Sequence, residues 1–215
     1  MQELEIINKY LGGHNSTIKG IRSLLDSPEK QEYGIDSLII CEIGCGGGDN
    51  LKAIQKWLTS KGIPAKFTGI DINGECIAYA KDNCKTINAE WITSDYRLVN
   101  LTQKPDIIFS SLFCHHFTEK ELAEQFAWMK NNSRLGFFIN DLHRHPLAYY
   151  SISMLTKLFS KSWLVKNDAP LSVLRGFKKK ELGSINMQCS LAHARLQWHW
   201  AFRWLMVVKN ESIVE

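Results

Sequence analysis

Apolar residues along this chain recur with two different periods, and the periods alternate. Leu4, Ile7 and Leu11 sit three or four positions apart, as do Ile18, Ile21, Leu24 and Leu25. That spacing predicts helix over the first 28 residues, broken at Gly12-Gly13 and restarted with Asn15 or Ser16 as cap. Residues 37–43 (SLIICEI) form instead a short continuous apolar run, the pattern of a strand buried on both faces. Helical spacing returns over 49–61, with Leu51, Ile54, Trp57 and Leu58 on one face. Strand-like runs follow at 66–71 (KFTGID), 89–93 (AEWIT), 106–113 (DIIFSSLF) and 134–140 (RLGFFIN). Helices are expected near 74–83 and 118–130. The second opens with Thr118 and, three residues on, Glu121, the signature of a capping box.

Strand–helix alternation with continuous apolar strands predicts an α/β, doubly wound, mostly parallel sheet covered on both faces. The chain ends differently. Residues 192–202 (AHARLQWHWAF) and 203–209 (RWLMVVK) are extended runs too close together for a crossover helix, so they predict an antiparallel terminal hairpin. No repeat or linker divides the sequence, and 215 residues suit a single domain spanning 1–215.

Composition narrows the picture only slightly. A hydrophobic fraction of 45% and a charged fraction of 22% are those of a globular protein. The net charge of +4 is small and scattered, and Lys178, Lys179 and Lys180 read as a solvated helix start, which argues against a nucleic-acid partner. The six cysteines form no CxxC pair, the N-terminus lacks a signal-peptide layout, and a reduced, cytoplasmic protein is the expectation. Residues 146–165 are greasy but interrupted by Lys157 and Lys161, so no membrane span is expected.

The chemistry starts at residues 38–51, LIICEIGCGGGDNL. An apolar strand stops at Glu42, and four glycines follow within five positions. In a doubly wound sheet the first strand–helix loop is where a ligand meets the backbone. The dinucleotide fingerprint G-x-G-x-x-G fails, because the frame from Gly44 and Gly46 reaches Asp49. The frame that fits is E-x-G-x-G-x-G: Glu42, Gly44, Gly46 and Gly48. A phosphate loop is excluded for want of G-K-[ST]. Asp71 closes the next strand, where a carboxylate accepts hydrogen bonds from ribose hydroxyls, and Asp95 and Tyr96 follow the third strand, placed to meet an adenine.

Those residues, with Ser94-Asp95 and PDIIFSSLFCHHF (105–117), resemble the successive motifs of class I S-adenosylmethionine (SAM) dependent methyltransferases over about residues 37–140. The similarity is to the branch that includes ubiquinone- and menaquinone-pathway enzymes and many small-molecule methyltransferases. Residues 140–182 resemble a bacterial subgroup of it. The resemblance implies a seven-stranded Rossmann-like sheet and SAM as cofactor. It implies that Gly44, Gly46 and Gly48 lie against the methionine part and that Glu42 buttresses the loop or reaches the ammonium through water. Asp71 would hold the ribose, Ile72 would pack on the adenine, Asp95 would take its amino group, and Ser110 would offer its carbonyl to the ammonium.

The acceptor is less legible. Methyl transfer to a protic oxygen needs a base, and histidines concentrate after the fourth strand (His115, His116) and the fifth (His143, His145), with Asp141 nearby to orient one. His116, His115 and His145 are the candidate bases. A metal site is not expected, since adjacent histidines in an extended segment point apart. The absence of an Asn/Asp-Pro-Pro-aromatic sequence after Phe109 argues against base methylation of nucleic acid. Residues 1–28 are read as a helical lid and 141–177 as an insert covering the acceptor pocket, with an ordinary core or a dimer seam as the duller reading of its apolar stripe. The expectation is methylation of a small apolar or aromatic metabolite at oxygen. Carbon methylation of a quinone-like ring, SAM binding without catalysis, and an NAD-dependent oxidoreductase are the alternatives.

Overall fold

The computed structural model describes residues 2–25, 37–189, 191 and 194–210. Seven strands form one sheet: β1 (Leu38–Ile43), β2 (Ala65–Asp71), β3 (Ala89–Thr93), β4 (Ile107–Ser111), β5 (Gly136–Leu142), β6 (Arg195–His199) and β7 (Arg203–Lys209). Their order is β3-β2-β1-β4-β5-β7-β6. The first five are mutually parallel, β7 runs antiparallel to β5, and β6 pairs antiparallel with β7. The order reverses between β1 and β4, the switch point where such sheets bind ligands. The sheet is the one expected, including its terminal hairpin; Ala192 and His193 of the predicted run lie outside the described residues.

Side-chain alternation along the central strands builds two cores. On β5, Phe137 and Ile139 join Ile108, Phe126, Met129 and Leu182 on one face. Phe138 joins Ile40, Phe109, Ile21, Leu51 and Ile54 on the other, and its ring stacks on Phe109 at 4.9 Å. The helices that supply these faces are α1 (Gln2–Tyr10), α2 (Gly13–Leu25), α3 (Asp49–Ser60), α4 (Gly74–Asn83), α5 (Glu119–Asn132), α6 (Pro146–Phe159), α7 (Trp163–Arg175) and α8 (Lys179–Gln188). Thr118 and Glu121 make the predicted capping box on α5.

One local expectation is corrected. α2 begins at Gly13, so Asn15 and Ser16 lie in its first turn rather than capping it; Gly12, at φ +73°, makes the reversal, and Ser16 N–H donates to its carbonyl. The insert is two helices, α6 and α7, divided at residues 160–162, where Ser162 takes over as cap of α7.

The N-terminal helices are tied down by buried polar groups. Asn140, fully buried on β5, donates to the Gly13 carbonyl (3.1 Å) and to Thr17 (3.0 Å). Arg203 on β7 is 2% exposed; it donates to Asn8 Oδ1 (3.0 Å) and to the Leu11 carbonyl (3.2 Å), and burial pushes its pKa down to about 10. Close packing supplements these bonds. A Cβ on Gly20 of α2 would lie 2.5 Å from the Phe138 ring. Gly20→Val is therefore expected to cost about 1–3 kcal/mol from overpacking, lowering Tm by several degrees in thermal unfolding. An unchanged Tm would show that α2 is not packed on β5 as described.

Candidate cofactor and active site

The loop between β1 and α3 stands at the switch point, and Gly44, Gly46 and Gly48 all have positive φ. Two of these glycines are required by contacts as well as by backbone. A Cβ on Gly44 would meet the Phe113 ring at 2.3 Å, and one on Gly48 would meet Trp91 at 2.4 Å. Gly48 is thus needed for packing beneath the loop, while Gly44, Gly46 and Gly47 line a cavity of about 150 Å³ above it. Asp71, at the end of β2, fixes the loop: Oδ2 accepts from Gly46 N–H at 2.9 Å and Oδ1 from Asn73 N–H at 2.9 Å.

Glu42 lines the same cavity and is 1% exposed. Oε1 accepts from Asn50 Nδ2 at 2.8 Å, and Oε2 is buried with no partner among the described residues. Burial, with Asp49 next to it, holds the carboxyl well above the usual carboxylate range despite the Asn50 bond. A buried oxygen without a donor is costly. Its position in the cavity marks where a cationic or hydrogen-bonding ligand group belongs.

The rest of the lining was not legible. Glu5 and Asn8 come from α1, Asp49 and Asn50 from α3, Tyr79 from α4, and Ser111 and Leu112 from the end of β4. Asn8 Nδ2 donates to Asp49 Oδ2 (2.8 Å) and Asn50 Oδ1 (3.3 Å), and His14 bonds Asp49 at 2.8 Å. Burial opposes ionisation of Asp49, but the bonds from His14 and Asn8 outweigh it and hold that carboxyl below its ordinary pKa. Only the polar residues DN after the glycines hinted at this layer. Nothing in the sequence singled out Asn8.

Other expected contacts shift. Ser110 is fully buried, and its hydroxyl lies 3.2 Å from Cys114 Sγ; Ser111 and Leu112, one and two residues on, reach the cavity instead. Leu112 holds φ +54°, an uncommon backbone for a branched residue. Tyr96 turns into the core and meets Trp128 edge-on at 5.1 Å, so it does not present its ring beside Asp95. Asp95 caps the turn at 96–98 and pairs with the Arg97 guanidinium, which holds its carboxyl below the usual range. Ile72 is 74% exposed next to Asp71, an apolar surface open to a flat ring.

The histidines divide. His115 is buried, and its Nδ1 lies 2.8 Å from Asp141 Oδ1. The other Asp141 oxygen accepts from Cys114 N–H (2.8 Å) and Phe113 N–H (3.2 Å). Burial works against the Asp141 charge, but His115 and these bonds prevail and lower its pKa. Residues 114–116 form a 3-10 turn rather than an extended segment, so the rings of His115 and His116 come together at 4.2 Å. His145 is placed otherwise: its Nδ1 accepts from Leu147 N–H as the cap of α6, and its ring stacks on Phe202 at 5.2 Å. Among the described residues, no three His, Cys, Asp or Glu side chains gather as metal ligands.

Residues 40–136 match the family model described as a methyltransferase domain. A comparison with curated proteins finds no match. Solved structures share the fold. The plantazolicin methyltransferase BpumL, solved with a monoazolic desmethylPZN analog and S-adenosylhomocysteine (SAH), is 19% identical with a TM-score of 0.63, over 95% of this chain and 87% of that one. Magnesium protoporphyrin IX methyltransferase (ChlM) from Synechocystis PCC 6803, with bound SAH, is 14% identical with a TM-score of 0.59, over 95% and 87%. Human N-acetylserotonin methyltransferase, with SAM, is 16% identical with a TM-score of 0.62, over 99% and 55%.

The seven-stranded fold is thus one shared with solved methyltransferases, and residues 40–136 match the methyltransferase-domain model. These neighbours hold SAH or SAM, so S-adenosyl-L-methionine is the group against which the cavity is tested. The residues present fit that group. The cavity is smaller than the roughly 300 Å³ at the lower end of cofactor pockets, so it accommodates part of the molecule, with Asp71 and exposed Ile72 beyond it.

Glu42→Gln separates binding from stability. A raised folded-state pKa means the wild type loses stability as pH rises above the unfolded value, because the folded state binds the extra proton. The glutamine carries no such penalty. The variant without ligand should match wild type near pH 4 and exceed its Tm increasingly toward pH 8. SAH at a hundredfold excess over its Kd should stabilise wild type by about 2.7 kcal/mol, roughly 5–10 °C, and the variant by clearly less. Equal SAH shifts would remove Glu42 from the site.

Proposed function

We propose that the protein transfers the methyl group of SAM to an oxygen of a small apolar or aromatic acceptor, with His115 as the base. The bound cofactor supplies an electrophilic methyl on a sulfonium; the protein's part is to hold, orient and exclude water. Glu42 and the backbone of Gly44–Gly47 serve the amino-acid half, and Asp71 with Ile72 the nucleoside. Asp95 would reach the adenine only in competition with Arg97.

The observation that carries the base is the Asp141–His115 pair. Asp141 accepts from Nδ1, which leaves Nε2 as the basic nitrogen, and the buried Nε2 has no partner among the described residues. The His116 ring lies tilted against the His115 ring at 4.2 Å, and burial, with His115 beside it, lowers the His116 pKa. In this reading Nε2 takes the acceptor hydroxyl's proton as its oxygen attacks. His145, occupied in capping α6, has no part.

An apolar acceptor is supported by a second cavity, about 250 Å³, between α1 and α6. Ile6, Ile7, Tyr10, Ile152, Leu155 and Phe159 are among its lining residues. α1 separates the two cavities, its Glu5 and Asn8 on the cofactor side. It would act as the lid, and α6 as the acceptor cover. The solved neighbours are named for plantazolicin, magnesium protoporphyrin IX and N-acetylserotonin.

The test is a screen of phenolic and quinol acceptors for SAH release, followed by His115→Gln on the best substrate. The variant should lose about 10²–10⁴-fold in kcat, with SAH binding kept within about twofold. Wild-type turnover in the variant would eliminate His115 as base. Methyl found on carbon in the product would eliminate the oxygen acceptor.

A further inference from the structure

We propose that the tip of the α6–α7 hairpin is a docking surface for an anionic lipid bilayer. The tip presents large apolar side chains to water on both sides of the turn. Leu158 is 68% exposed, Phe159 78%, Trp163 72% and Leu164 63%. Isolated exposed apolar residues are ordinary; a cluster at the end of a helical hairpin is not.

Charge selects the partner. Lys157, Lys161 and Lys166 are interleaved with those side chains and exposed, and residues 146–167 contain no Asp or Glu. Glu3 of α1 is the acid that reaches the turn. Its carboxylate is engaged by Ser160 Oγ, by Lys161 N–H (3.1 Å) and by Ser162 N–H (3.4 Å). The turn's backbone donors are therefore satisfied, which lowers the cost of taking them out of water. Basic residues around Trp, Phe and Leu suit the headgroup region, where lysine stems extend to phosphates while the apolar groups sink below them. A second copy of the chain fits less well, because a two-fold interface would set the three lysines against their own equivalents. A span is not the reading: no helix among the described residues is long and apolar enough to cross a membrane. Phe159 also lines the cavity between α1 and α6, so the docking surface is continuous with that cavity. The proposal does not rest on the methyl acceptor.

The experiment is co-sedimentation of the full chain with phosphatidylcholine vesicles, with and without phosphatidylglycerol. It compares wild type with the double variant Phe159→Ser/Trp163→Ser and the triple variant Lys157→Glu/Lys161→Glu/Lys166→Glu. All the changed side chains are exposed, so thermal unfolding should match wild type. Wild type should pellet with the anionic vesicles and much less with the neutral ones. The charge reversal should weaken binding at least about tenfold, and the double variant should stay in the supernatant. Three results would overturn the proposal: wild type left in the supernatant, variants that pellet like wild type, or a vesicle-free dimer that the double variant converts to monomer.

Discussion

A carboxyl kept out of water at the end of a strand is the constraint on which the rest of the site depends. Glu42 lines the cavity over the glycine loop, with one oxygen bound by Asn50 and the other buried without a partner among the described residues. Such a group is tolerated when its surroundings are fixed and the ligand completes them. The fixing extends far along the chain. Asn50 Oδ1 accepts from Asn8 and lies 3.5 Å from the Thr17 hydroxyl, and Asn8 in turn accepts from Arg203 of the last strand. The two N-terminal helices, the first strand–helix loop and the terminal hairpin thus form one buried polar assembly around the cofactor cavity.

That assembly explains why α1 matters more than its nine residues suggest. Its polar positions Glu5 and Asn8 line the cofactor cavity; its apolar positions Ile6, Ile7 and Tyr10 line the cavity shared with α6. Its first turn holds the α6–α7 tip through Glu3. One short helix therefore touches the donor side, the apolar side and the exposed hairpin. Displacement of α1 would open all three, and the bond from Arg203 to Asn8 opposes that movement.

The sheet was legible because each strand is a continuous apolar run and each helix keeps its own period. The glycine loop and Asp71 were legible because backbone approach to a ligand and a strand-end carboxylate leave marks in the sequence. What failed was side-chain direction. Tyr96 follows a loop aspartate, yet its ring is drawn into the core by Trp128. His115 and His116 come together because a 3-10 turn replaces the extended segment. The Asn8–Asn50–Arg203 network left no trace, since polar residues at these separations carry no local pattern and only the fold unites them.

The most direct test is calorimetric titration of the protein with SAH, 5′-methylthioadenosine and NAD. Methylthioadenosine keeps the nucleoside and lacks the amino-acid half that the Glu42 cavity is argued to hold. The account predicts that SAH binds, that methylthioadenosine binds at least about tenfold weaker, a loss of 1.4 kcal/mol or more, and that NAD gives no heat of binding. Equal affinity for SAH and methylthioadenosine would show that the buried carboxyl and the glycine loop do not form the amino-acid site.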